Sequence, residues 1–278
     1  MTSLPPLRGA AEPPLSFYLT QTWWGFNAIA GRANSLRQFV AAAHAAGVSD
    51  VIHQQAGLTV RWIEAEAAQT GESIFTELGK QSARDGSFQK MMAQMTIDSA
   101  SSASKLAIAV LVHAGFETFL LGMCRLGVIF NRNQALSWIA DRKVALSTLA
   151  TKPADEIADD ALERWLTEQE RESLLTKWDR LISLIGFPPN LISPPNWHFD
   201  KAMLEAFDVA RHGAVHHGGA KLAAFDLDHF CAQAYRAATV ITAYVAKKNK
   251  IFLDPRAMGS SASTPPPHPA RTDSGKGG

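Results

Sequence analysis

The stretch KLAIAVLVHAGFETFLLGMCRLGVIF, residues 105–130, is long enough and apolar enough to span a bilayer. It also carries His113, Glu117 and Arg125, and a charge inside a membrane is expensive. The expectation is therefore no membrane span but a long helix over about 103–130, buried among other helices. His113 and Glu117 are four residues apart and share one face of such a helix. Cys124 returns to nearly the same angle, and Leu106, Val110, Leu120 and Leu121 lie close by. A carboxylate among apolar side chains needs a partner, because an unpaired buried charge is costly. Arg211 is the expected partner, with Arg125 or solvent as the alternatives.

Around that helix nearly everything else reads as helix, with no alternating strand pattern and no hairpin turn. Further helical segments are expected at 16–46, 49–68, 71–96, 134–150, 155–186, 201–217 and 227–250. Gly47-Val48-Ser49 separates the first two, with Ser49 as N-cap, and Asp200 and Asp226 cap the last two. The Ser-rich stretch DSASSASK, residues 98–105, reads as a junction. The termini are rich in Pro, Gly and Ser and bury too little to offset chain entropy. The expected organisation is a disordered 1–14, an N-terminal helical region over 15–98, a helical domain over 99–252 and a disordered tail over 253–278. Hydrophobic residues make up 46% of the chain, enough for a packed core. With 27 basic and 26 acidic residues, no bulk field announces a polyanion, so contacts to one must be local. Two distant cysteines, Cys124 and Cys231, form no disulfide framework or zinc pattern and read as packed free thiols. An N-terminus without an apolar signal core is expected of an intracellular, cytoplasmic chain. The tryptophans read as packing anchors.

The stretch DVARHGAVHHGGA, residues 208–220, concentrates three of the chain's nine histidines. On a helix at about 100° per residue, Met203, Leu204, Phe207, Ala210 and Ala214 form the core face. Glu205, His212 and His216 fall on the opposite face and Arg211 on the flank. His216 and His217 occupy the last turn, where the helix dipole favours an imidazolium, and a histidine near neutrality suits acid–base work. Arg211 stays charged, and its planar fork suits a phosphate. An arginine beside such a histidine is the minimum inventory for cutting RNA. The base takes the 2′-OH proton, the oxygen attacks phosphorus, and arginine stabilises the phosphorane. A metal site is the alternative at the i, i+4 pair His212 and His216, with Glu205 or His113 and Glu117 as further ligands.

This pattern resembles the HEPN superfamily, the "higher eukaryotes and prokaryotes nucleotide-binding" domains. Arg211, His212 and His216, followed by His217-Gly218-Gly219, are similar to the family's arginine, polar residue and downstream histidine. Phe116-Glu117 resembles the "FE" pair of its long upstream helix, and Trp138 with Asp141–Leu149 resembles the segment that follows it. The resemblance covers roughly 103–250. It implies an all-α helical bundle, a HEPN-like C-terminal unit preceded by an additional helical region. It further implies a homodimer that cuts RNA with no metal or other cofactor, using Arg211, His216 and His212 as catalytic residues and Glu117 as a supporting one. Relatives serve as toxins with an antitoxin or regulatory partner, or in antiviral defence. Others bind or scaffold without catalysis, and the balanced charge is consistent with that second reading.

Overall fold

The computed structural model describes residues 5–7, 14–70, 86–143, 151–188, 199–217, 220–254 and 256. These residues form an all-α bundle with no strand among them. In chain order the helices are α1 (Leu15–Ala45), α2 (Val48–Thr70), α3 (Ser87–Phe130), α4 (Arg132–Trp138), α5 (Ala154–Gln169), α6 (Leu174–Ile185), α7 (Ala202–His217), α8 (Ala220–Ala224) and α9 (Leu227–Lys248).

The apolar run that constrains the sequence sits in α3, the axis of the bundle. At about 1.5 Å per residue its 44 residues extend some ~66 Å. By length and composition α3 could cross a membrane, but 56% of its apolar window is buried inside the protein. The Ser-rich stretch 98–105 is not a break, contrary to expectation. It contains neither Gly nor Pro, and the Ser104 hydroxyl donates to the Ser101 carbonyl at 2.8 Å, so the serines are accommodated within the helix. The expected helix 71–96 and the long helix after it thus belong to one element from Ser87 onward, while 71–85 lie outside the described residues.

Phe116 marks the centre of the core and is fully buried. Its ring centroid lies 5.5 Å from Phe26 of α1, 6.5 Å from Trp178 of α6 and 6.3 Å from Phe230 of α9. Four helices therefore meet at one side chain, α1 among them. Two glycines permit the close seam between α1 and α3. A Cβ at Gly115 would come within 2.8 Å of Ile29, and one at Gly122 within 2.7 Å of Thr22.

The acidic segment 155–186 is two helices, α5 and α6. The second starts at its own N-cap, where Ser173 Oγ accepts from Thr176 N at 3.1 Å. It ends at Gly186 in the left-handed conformation, with Phe187 N donating to Ile182 O at 3.0 Å. Both aspartate caps form as expected: Asp200 Oδ1 accepts from Ala202 N and Asp226 Oδ1 from His229 N, each at 2.9 Å. α2 starts at Val48, one residue ahead of the expected cap at Ser49. Leu227, Phe230, Ala234, Ala237 and Ile241 of α9 are buried and form one apolar stripe. Beyond α9, Asp254 is buried, and its N–H donates to Thr20 Oγ1 at 2.7 Å.

Candidate functional site

α7 divides as its periodicity requires. Leu204, Phe207 and Ala210 are buried, Glu205 and His212 are exposed, and Arg211 is half-buried on the flank. His216 lies in the last turn of α7, but its side chain, those of Ala214 and His217, and the glycines 218–219 fall outside the described residues. So do residues 144–150 of the segment resembling the family linker.

Glu117 does not meet Arg211. Its carboxylate pairs with Lys177 of α6, a contact that needs a correction of the expected partnership. The alternative partner Arg125 is also engaged elsewhere, gripping Glu163 of α5 with both terminal guanidinium nitrogens while its Nε donates to Pro5 O. The physical reason is position. α6 packs along α3 on the Glu117 face and carries a lysine into it, whereas α7 meets α3 through a different residue, His113.

Lys177 is 1% exposed and all three of its N–H donors are satisfied. They reach Glu117 Oε1, Glu172 O at 2.6 Å and Glu170 O at 3.1 Å. The two carbonyls belong to the turn after α5, so one ammonium ties that turn, α6 and α3 together. Lys177 lies between Leu174 and Leu181 on a strongly amphipathic segment, a core position that the apolar spacing displays.

His113 connects this pair to α7. Its Nδ1 is 3.8 Å from Glu117 Oε2 and its Nε2 is 2.7 Å from Asp208 Oδ1. The other Asp208 oxygen accepts from Leu174 N at 2.9 Å, satisfying a backbone donor at the start of α6. Asp208, one turn before Arg211, is the residue sequence reasoning missed. Only its place in DVARH hinted at a role. Burial pushes the Asp208 carboxyl up. The hydrogen bonds from His113 and Leu174 and the nearby Arg211 charge outweigh that, and the net shift is downward.

A stability consequence follows from that sign. A carboxyl with a lowered folded pKa stabilises above its unfolded value, about 3.9, and loses that contribution as pH falls through the folded one. Asp208→Asn is therefore expected to destabilise the protein at pH 5–7 by a constant amount. The difference from the natural protein should shrink below about pH 4, as read by urea unfolding at each pH.

Among the described residues three buried side-chain polar atoms have no hydrogen-bond partner: Trp24 Nε1, Asn27 Oδ1 and Arg211 Nε. Arg211 also forms no ion pair among them, so it is a half-buried cation held near Asp208 but not neutralised by a close carboxylate. Lys105 of α3 donates to Ala223 O at 2.8 Å and is thereby engaged by α8, close after the glycines. Among the described residues no group of three His, Cys, Asp or Glu side chains is disposed to hold a metal ion. Burial pushes the Cys124 thiol up to about 12 and the Cys231 thiol to about 11, so neither is a nucleophile near neutrality. No protein-family model, curated protein or solved structure matches this chain.

Proposed function

We propose that the chain is a metal-independent endoribonuclease of HEPN type that works as a homodimer, with RNA as substrate. The observation that carries this reading is the state of Arg211. A guanidinium that is half-buried, has no ion pair among the described residues and has an unmet buried Nε is poised for an anion from outside the chain. It sits beside exposed His212 and five residues before His216 on the same helix.

In this mechanism His216 takes the proton from the 2′-OH. The freed oxygen attacks the adjacent phosphorus, and the bond to the 5′ oxygen breaks. That leaves a 2′,3′-cyclic phosphate and a 5′-OH, the latter protonated by a histidinium. Arg211 stabilises the phosphorane, and His212 contacts the phosphate or tunes His216. Glu117, through Lys177 and His113, supports α7 from below without touching RNA. A cytoplasmic role in defence or as a toxin restrained by an antitoxin or regulatory protein agrees with the same resemblance.

The test is cleavage of mixed RNAs by the full chain in EDTA. Cyclic-phosphate ends that form with the natural protein and disappear in folded Arg211→Ala and His216→Ala proteins are the expected result. Cleavage unchanged by both substitutions refutes the assignment. Absence of cleavage by the natural protein, with RNA retained on it, shifts the reading to a non-catalytic binding module.

A further inference from the structure

The other two unpartnered buried atoms, Trp24 Nε1 and Asn27 Oδ1, lie far along the chain from Arg211, one turn apart on α1. Both residues line a half-open cavity of about 640 Å³ between α1, α3 and α9. That volume is in the range of sites for small organic ligands, which are largely apolar with a few placed polar groups.

Its construction follows from how the two outer helices cross. Arg37 pairs with Asp228 at 2.6 Å at one end, and Trp23 Nε1 approaches Thr239 Oγ1 at 3.5 Å at the other, so α1 and α9 run antiparallel. Between these ties the facing side chains are small: Ala28 and Gly31 on α1, Ala232 on α9. They leave a gap whose floor is Ile108 and Val112 of α3, both buried. Gly31 is informative. A Cβ built there meets nothing within 4 Å, so no packing demands glycine, although glycine inside a helix is unfavourable. A larger side chain at Gly31 therefore enters without a clash.

The walls define the occupant. Trp23, Trp24 and Tyr235 present aromatic surface. Arg236, exposed at the rim, forms no ion pair among the described residues, unlike Arg37, which is held by Asp228 and Asn34. We infer that this cavity binds a small planar aromatic carboxylate, its ring against Trp23, Trp24 and Tyr235 and its carboxylate on Arg236. The aromatic walls favour a planar ring over an aliphatic chain, and the unpaired guanidinium favours an acid over a neutral amide. The site does not involve Arg211 or His216, so it stands or falls separately from the ribonuclease reading.

The experiment is calorimetric titration of the full chain with indole-2-carboxylate, its carboxamide and cyclohexanecarboxylate. The aromatic acid is expected to bind at one site, with the other two weaker by about tenfold or more. Arg236→Gln should bring the acid down to the level of the amide. Gly31→Leu should abolish binding with the helical circular dichroism signal and melting temperature kept or raised. Ala232→Leu blocks the same space from α9 and serves if Gly31→Leu fails to fold. No saturable heat from any probe at millimolar concentration overturns the inference. Binding indifferent to both blocking substitutions does so as well. So does a change of oligomeric state on blocking, which would assign the groove to a protein surface.

Discussion

Glu117→Ala is expected to destabilise the protein by about 3–5 kcal/mol, more than Lys177→Met at the other end of the same ion pair. The asymmetry comes from burial. The Glu117 side chain is 30% exposed and can rehydrate when its partner is lost, whereas the Lys177 side chain is 1% exposed and cannot. Removing the carboxylate strands a buried ammonium with only two backbone carbonyls as acceptors. Removing the lysine instead takes the buried charge away and leaves a flexible apolar side chain in its place, at an expected cost of about 1–3 kcal/mol for the two carbonyls it abandons. Glu117→Gln keeps an oxygen for Lys177 and should fall between. Guanidinium unfolding followed by tryptophan fluorescence measures all three, since Trp178 adjoins Lys177 and is buried. Equal losses for Glu117→Ala and Lys177→Met would contradict this account.

The second large effect is on activity. Arg211→Met should reduce RNA cleavage by a factor of about 10³ or more, the scale at which a positioned cation stabilises transferring phosphoryl oxygens. Stability should move the opposite way or not at all. Arg211 has a buried Nε without a partner and forms no ion pair among the described residues, so its removal forfeits little beyond its long-range attraction to Asp208. Methionine covers the same apolar stem, and the melting temperature is expected to hold or rise. Arg211→Lys keeps the charge and loses the planar fork, so partial activity is expected. A protein that loses cleavage and stability together would make Arg211 a structural residue. Single-turnover rates and melting curves on the same preparations separate the two.

The helical class, the face assignment on α7 and both aspartate caps are written in local pattern. A period of 3.6 and a side chain that reaches a nearby N–H need no knowledge of the rest of the chain. Arg211 fell on the flank and His212 on the exposed face because four residues on a helix define an angle. The junction at 98–105 misled for a related reason. Serine composition suggests a loop, but what ends a helix is Gly, Pro or a lost packing face, and here none of the first two occurs while α3 stays packed against α1 and α2.

Partnership was a different matter. That Glu117 required a cation was legible from its apolar neighbours, but three basic residues, Arg125, Lys177 and Arg211, could have supplied it. The choice depended on which helix packs on the Glu117 face, and that is a property of the whole bundle. The same holds for Asp208, whose two oxygens meet His113 and Leu174, 95 and 34 residues away in the chain. The cavity between α1 and α9 likewise needs small residues from two ends of the sequence to face each other. By itself the sequence determined the helical class and the buried face of α7 up to Arg211 and His212, since these rest on local periodicity. Tertiary structure alone decided which charges neutralise one another and where space is left, because both depend on distances between helices that no local pattern encodes.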